Sequence, residues 1–490
     1  MDEEGGGWVP SVRRRLLVLG LAIALAALAY AFPLPGVSEA GRRLTAVLMV
    51  VITLWIAEAL PLAVTALLGP ALCVLVGVAP VDQAFAAFSN PIMMLFIGSF
   101  LLARVTFKHR LNERIAYRVL SLRAVGNDPT RAFIVLGLTT AALSAWMSNA
   151  AVTAMMLPIA QSMLLAMTLG DARGAPRTFA AALMLIVSYS ASVGGLFTPV
   201  GTPPNLIGIG LIEQATGVRI SFLSWIVKVF PVTFVALALI MAYFAYVFRG
   251  EKLALVYDRS KMAARYAALG PWRMVEKRVA TALLITAALW IVPSIISIID
   301  PPLGKFLTVH IPEGVAPLLV AAPLFWLAEE RGSVRPIMEL EDLASIDWPV
   351  IVLFGGGMCL GQLMMQTGAA KALGELLASY VPNGHSPALV VVFCLLAIAV
   401  SETTSNTASA NMVVPVVIAV STQVGGDPIA LGLAATAACT FGFMLPVSTP
   451  TNAMAYATGY VTQRQMIRYG ILLDMIGIVL LSVWFGFVVR

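Results

Sequence analysis

Fifteen apolar runs recur along this chain, the first at residues 16–32 and the last at residues 470–489, with mostly short segments between them. Runs of this kind have one natural solvent, the hydrocarbon core of a bilayer. No water is available there, so every peptide group must find its partner inside the protein. Only helices and closed barrels meet that demand. The runs are continuous rather than alternating, which selects helices. The predicted fold class is therefore an all-α membrane protein, with lipid as its main partner. Composition agrees. The 490 residues are 60% hydrophobic and 11% charged, against about 45–50% and about 25% in a soluble domain.

Several runs are too short for the ~20 residues of a straight span. Short or Gly/Pro-broken segments are expected where a chain enters the membrane and turns back, or where a helix stops half-way. The pattern predicts about 11 transmembrane helices plus two re-entrant hairpins. Arg13-Arg14-Arg15 ahead of the first run resembles a signal peptide, but the run is long enough to span, and an uncleaved first helix with a cytoplasmic N-terminus is predicted. Cys73, Cys359, Cys394 and Cys439 lie in apolar runs without paired spacing and read as core residues. His109, His310 and His385 are scattered and form no metal-ligand pattern. The net charge of +6 is spread over loops, which suits the positive-inside rule better than nucleic-acid binding.

Three pairs of segments match in the same order. Pro91-Ile92-Met93-Met94-Leu95-Phe96-Ile97-Gly98 parallels Pro349-Val350-Ile351-Val352-Leu353-Phe354-Gly355-Gly356 at an offset of 258. Ser148-Asn149-Ala150-Ala151, with Met155 and Pro158, parallels Ser405-Asn406-Thr407-Ala408, with Met412 and Pro415, at 257. Pro199-Val200-Gly201-Thr202-Pro203-Pro204-Asn205 parallels Pro446-Val447-Ser448-Thr449-Pro450-Thr451-Asn452 at 247. Nearly constant offsets indicate a duplication.

Charge sets the two copies against each other. Between Arg104 and Asp128 stand six Lys/Arg (Arg104, Lys108, Arg110, Arg114, Arg118, Arg123), while the matching 362–386 segment holds Lys371. The first is predicted to be cytoplasmic and the second external, so the repeat is inverted. The basic loop from Arg249 to Arg278, which includes Lys252, is also placed inside. Glu329 to Asp347 reads as a polar connector. Arg464 and Arg468 put the start of the last span inside and the C-terminus outside. The predicted layout is an N-terminal helix (1–45), a first inverted repeat (46–248), a cytoplasmic loop and linking helix (249–313) and a second inverted repeat (314–490), in the inner (cell) membrane.

Function is carried by polar islands inside the apolar runs. Ser144-Ala145-Trp146-Met147-Ser148-Asn149-Ala150 pairs with Ser401-Glu402-Thr403-Thr404-Ser405-Asn406-Thr407. A hairpin tip of this kind offers neutral oxygens to a cation and helix-start N–H groups to an anion. In Gly201-Thr202-Pro203-Pro204-Asn205 and Ser448-Thr449-Pro450-Thr451-Asn452, proline interrupts the helix and frees carbonyls. One Ser-Asn in a membrane helix is ordinarily an interhelical hydrogen bond. Four islands in matched pairs point to a binding site, because polar groups at that depth are costly. The islands hold no Lys or Arg, so an anion there would be held by dipoles, hydroxyls, amides and a co-bound cation. Glu402 reads as a structural acceptor for N–H groups of a broken helix. Glu58 and Asp474 are the other acids in signature or spanning segments.

The Ser-Asn-Thr-type motifs at Ser148-Asn149-Ala150 and Ser405-Asn406-Thr407, the segment Trp55 to Leu68 and Gly201-Thr202-Pro203-Pro204-Asn205 resemble the divalent-anion:sodium symporters. The resemblance extends from about Trp55 to the end of the chain. It implies a homodimer that imports small divalent anions with Na+, most directly C4-dicarboxylates, by an elevator movement. It implies one sodium site from Ser144, Ser148, Asn149 and Gly201, and a second from Ser401, Ser405, Asn406 and Ser448. It implies substrate contacts from Ser148, Asn149, Ala150, Thr202, Ser405, Asn406, Thr407, Thr449 and Pro450. One departure stands out: the family's threonine of the first motif is Ala150 here.

The alternatives are a sodium-independent exchanger, or a sulfate or citrate carrier, of the same fold. A membrane-embedded enzyme would need an acid cluster, a metal set or a nucleophile–base pair, and the sequence offers none of these. The inverted arrangement is directly testable. Cysteines introduced at Arg118 and Ala378 should react with impermeant reagents from opposite sides of the membrane; reaction from one side would refute the inversion.

Overall fold

The computed structural model describes residues 12–33, 35–167, 176–251, 257–378 and 387–489. Residues ahead of Val12, the part of the basic loop that holds Lys252, and the end of the 362–386 segment lie outside the described residues. Within them the chain is helical, with a single isolated bridge between Ala328 and Pro336. α1 (Val12–Ala31), α2 (Glu39–Ala57) and α3 (Leu62–Leu75) lead through the short α4 (Val81–Ala84) to α5 (Pro91–Lys108) and α6 (Leu111–Leu120). α7 (Pro129–Ser144) and α8 (Asn149–Met167) meet at the first polar island; α9 (Arg177–Gly194) and α10 (Pro203–Thr216) flank the first proline break. α11 (Phe222–Val247), α12 (Arg259–Ala268), α13 (Met274–Ile299), α14 (Pro301–His310), α15 (Ala316–Ala321) and α16 (Leu340–Ala344) connect the halves. Then come α17 (Trp348–Gln366), α18 (Ala369–Ala378), α19 (Pro387–Thr403), α20 (Asn406–Gln423), α21 (Pro428–Ala438), α22 (Pro450–Ala457) and α23 (Gln463–Val483).

Eight of the described helices are long and apolar enough to cross a membrane, and five further apolar helices are shorter. The expected short runs are visible in this second set. Of these, α8 begins in the first polar island and α19 ends in the second.

The protein core is at α9, whose residues from Phe179 to Gly194 are all buried. α7 and α8 pack on α9, and α19 and α20 pack on α21. The halves also exchange elements. α10 lies on α20 and α21, and α22 lies on α8 and α9. Close crossings depend on small residues: a Cβ on Gly194 would run into the backbone of Ala141. α1 is the opposite case, with one buried residue, Ala22, and its apolar surface facing outward.

Charged residues gather away from this core. Arg104 and Lys108, at the end of α5, reach Asp342 at 3.3 and 2.6 Å, and Lys108 also reaches Glu339 at 3.3 Å. Burial alone would raise the Asp342 carboxyl, but Lys108, the Glu339 N–H and Arg104 together hold it below the usual carboxylate range. Its stabilising contribution is thus present at neutral pH and is lost as pH falls through that lowered value. Arg114 is buried on α6. It donates to the carbonyls of Gly270 (2.9 Å), Leu269 (3.0 Å) and Pro271 (3.3 Å) and pairs with Glu276 at 3.1 Å. The basic segment after α5 therefore meets the Glu329–Asp347 connector and the start of α13.

The Arg114–Glu276 pair is 2% and 3% exposed. Removing one partner of such a pair leaves an uncompensated buried charge, at a cost of about 3–5 kcal/mol. Glu276→Gln should therefore lower the melting temperature of the purified protein sharply. An unchanged melting curve would show that water reaches Arg114.

Candidate functional site

The two Ser-Asn tips are built alike. α7 ends at Ser144 and α8 begins at Asn149. α19 ends at Thr403 and α20 begins at Asn406, capped by the Ser405 hydroxyl, which accepts from the Ala408 N–H at 3.2 Å. The first tip has a 2.7 Å contact between Ser144 Oγ and the Asn149 amide; the second has a 2.8 Å contact between Ser401 Oγ and Asn406 Oδ1. Asn and Ser favour helix starts because their side chains satisfy N–H groups that the helix cannot.

These tips concentrate oxygens. The Asn149 amide atom beside Ser144 also lies 3.1 Å from the Ala191 carbonyl oxygen and 3.2 Å from that of Gly201. An amide NH2 in that place would donate to its neighbours. An amide oxygen there needs a cation among the surrounding oxygens, since none of the carbonyls can donate. At the second tip, Ser401 Oγ is 2.8 Å from Asn406 Oδ1 and 2.6 Å from the Cys439 carbonyl. A hydroxyl has one proton and cannot donate to both. Ser448 Oγ donates to the Ser401 carbonyl at 2.9 Å and lies 3.2 Å from the Gly442 carbonyl. Neutral oxygens in this density suit a hard cation of low charge.

The proline breaks are held open by a second matched pair. Asn205 Nδ2 donates to the carbonyls of Gly195 and Thr198, both at 2.8 Å. Asn452 Nδ2 donates to Gly442 at 2.8 Å and Leu445 at 3.1 Å. All three correspondences share the offset of 247. Each asparagine thus serves carbonyls that the broken helix leaves without a partner. Asn452 Oδ1 in turn accepts from Ser188 at 2.7 Å, across the halves; Asn205 Oδ1 has no such partner. Tyr189 adds a second crossing bond, donating to the Phe443 carbonyl at 2.8 Å. Glu402 accepts from the N–H groups of Met444 (2.7 Å) and Leu445 (3.0 Å), the acceptor role read from its position in the island.

Between the tips lies a cavity of about 560 Å³. Ser148, Asn149, Ala150, Thr202, Ser405, Asn406, Thr407, Ser448, Thr449 and Pro450 all line it. The structure therefore brings these sequence-derived residues to one place. Ser144, Gly201 and Ser401 do not reach its wall; they are buried behind it, within the oxygen clusters just described. Sequence reasoning missed three kinds of lining residue. Ser192 comes from the apolar α9, where no island marks it. Thr451 sat inside a quoted motif but was given no role. A further part of the wall comes from the starts of α3 and α17, with Pro61, Val64, Pro349 and Leu353, and from Asp347. Among the described residues no Lys or Arg lines the cavity, and Asp347 is its only ionisable lining residue.

Residues 13–489 match the family model described as the sodium:sulfate symporter transmembrane region. The chain is 31% identical over 473 residues to the sodium-dependent dicarboxylate transporter SdcS of Staphylococcus aureus, covering 95% of this chain and 89% of that one. Among solved structures it resembles the YdaH transporter of Alcanivorax borkumensis, with a TM-score of 0.58 at 14% identity, covering 98% of this chain and 99% of that one. It also resembles Neisseria gonorrhoeae MtrF, described as illuminating a class of antimetabolite efflux pumps, with a TM-score of 0.55 at 14% identity and coverage of 98% and 96%. The two structural likenesses concern the fold.

The clamps should be unequal in strength. Asn452→Ala removes two donated bonds and orphans the Ser188 hydroxyl, at about 1–3 kcal/mol for each buried group left unsatisfied. Asn205→Ala removes two donated bonds only. Thermal unfolding in detergent should rank Asn452→Ala below Asn205→Ala; the reverse order would show that the cross-half bond adds nothing.

Proposed function

The chain belongs to the sodium:sulfate symporter family and is a multi-pass membrane transporter; from that premise we propose that it imports C4-dicarboxylates together with Na+. The observation that carries this reading is the pair of oxygen clusters behind the cavity. The Ser144 hydroxyl and the Ala191 and Gly201 carbonyls, gathered around the Asn149 amide on one side, and the Ser401 hydroxyl, Asn406 Oδ1 and Cys439 carbonyl on the other, offer a small monovalent cation neutral oxygens at two places. Ser144, Ser148, Asn149 and Gly201 would hold one sodium ion, and Ser401, Ser405, Asn406 and Ser448 the second.

The substrate's carboxylates would meet Ser148 and Asn149 at one end and Ser405, Asn406 and Thr407 at the other, with Thr202, Thr449 and Pro450 beside them. Helix starts at Asn149 and Asn406 supply N–H groups and the positive ends of helix dipoles. Since no basic side chain among the described residues lines the cavity, the charge of the anion is balanced by dipoles and by the ions behind the tips. Cation binding is therefore a condition for anion binding, which is what couples the two fluxes.

The same reading has the tips and their clamps move as one unit against a scaffold, in a homodimer, with the repeats inverted. It places the N-terminus in the cytoplasm and the C-terminus outside in the inner (cell) membrane. The sodium-dependent dicarboxylate transporter among the relatives supports the choice of ion and anion.

The test is uptake of labelled succinate, citrate and sulfate into proteoliposomes, with an inward sodium gradient or with choline. Succinate uptake that requires sodium is expected. Uptake that is unchanged in choline would favour exchange, and preference for sulfate or citrate would overturn the substrate. Asn149→Ala and Asn406→Ala should each raise the sodium concentration for half-maximal uptake by roughly tenfold or more, since a bond to a charged group is worth about 1.5–3 kcal/mol.

A further inference from the structure

The cavity built to hold an anion has one ionisable residue on its wall, and that residue is an acid. Asp347 ends the connector and caps α17, accepting from the Val350 N–H at 3.3 Å through Oδ1. Capping explains an Asp at this place, but Asn caps a helix equally well and carries no charge. Around Asp347 the wall is apolar, with Pro61, Val64, Pro349 and Leu353. The side of the cavity formed by the Ser-Asn tips and the proline breaks supplies hydroxyls and amides. Among the described residues that line the cavity, only Asp347 can form a charged contact.

A fixed negative charge works against any substrate whose net charge is all negative. It favours one that carries a positive group as well. A second departure points the same way. In the matched motifs, Thr407 of the second tip corresponds to Ala150 of the first. Both line the cavity, so the first tip leaves room where the second presents a hydroxyl and a methyl.

We propose that Asp347 and Ala150 fit this cavity to an amino-dicarboxylate: the two carboxylates meet the tips, and the substrate's ammonium group faces Asp347. This rests on the dicarboxylate reading given above and names the substrate class within it. Asp347 is then a specificity-determining residue, acting through its charge and not through the helix it caps.

The experiment uses the full-length protein in proteoliposomes with a sodium gradient, with labelled succinate and aspartate measured separately. Binding of the same two compounds to purified protein is followed by thermal shift. Asp347→Asn keeps the cap and removes the charge. It should shift the ratio of the aspartate to the succinate half-saturating concentration upward by roughly tenfold, the loss of one ammonium–carboxylate attraction at ~10 Å and an effective dielectric of ~20. Ala150→Thr should weaken aspartate more than succinate. Succinate and aspartate constants that Asp347→Asn leaves unchanged would make Asp347 a helix cap only and overturn the proposal. Equal improvement of both compounds would also overturn it, since a general gain is not a matched ammonium. Failure of the unmodified protein to take up or bind succinate or aspartate with sodium would instead remove the dicarboxylate reading on which the proposal stands.

Discussion

A helix that stops inside a bilayer exposes peptide groups where no water can reach them, and this structure is organised around answering that demand. Each of its two proline breaks leaves carbonyls without helical partners, and each is answered by an asparagine two residues beyond a proline: Asn205 for Gly195 and Thr198, Asn452 for Gly442 and Leu445. The same demand explains Glu402, an acid in an apolar setting, which is kept there by the N–H groups of Met444 and Leu445. A polar site at membrane depth is stable only when its unoccupied backbone groups are already satisfied and the remaining oxygens are left for a ligand. The clamps perform the first task and leave the Ser-Asn tips to the second.

Much of this was legible in the sequence because the constraint is severe. Ser, Asn, Thr and Pro are rare enough in apolar runs that four islands in matched pairs stand out, and ten of the residues chosen from them share one cavity. Asn205 and Asn452, at matched places in two of those islands, clamp carbonyls in the same way. What escaped notice obeys weaker rules. Ser192 shares a buried helix with Ser188, Tyr189 and Ser190, and hydroxyls on an apolar helix read as internal hydrogen bonding because serine can bond its own helix. Pro61, Val64, Pro349 and Leu353 are ordinary apolar residues whose membership of the wall depends on how α3 and α17 pack. Asp347 looked like the end of a polar connector, because its neighbours on the amino side are loop residues; only the fold shows which way the start of α17 faces. Boundaries of spans were also poorly defined by length, since α8 begins and α19 ends in a polar island.

The halves are not merely placed side by side. α10 of the first half rests on α20 and α21 of the second, and α22 of the second rests on α8 and α9 of the first. Each half thus completes the packing of the other. Small residues make these crossings possible, as at Gly194 against Ala141, and the charged residues are kept to a separate cluster around Arg104, Lys108, Arg114, Asp342 and Glu276. The Arg114–Glu276 pair and the Asp342 carboxylate are themselves buried, so this cluster is held as firmly as the apolar core.

The bonds that cross between halves have a further consequence. Ser188 reaches Asn452, Tyr189 reaches the Phe443 carbonyl, and Ser192 lies 3.3 Å from Thr451. Each runs from α9, which leads into the first break, to the second break, so the two breaks are bound to a common spine. Their separation is a fixed dimension of the protein, like the opening of a caliper. On the reading proposed above, a dianion bound between them would be measured along its length: one carbon too few would leave one end unmatched, and one too many would have to bend. Selection by length then costs no extra side chains, because the gauge is the same lacing that keeps the broken helices intact.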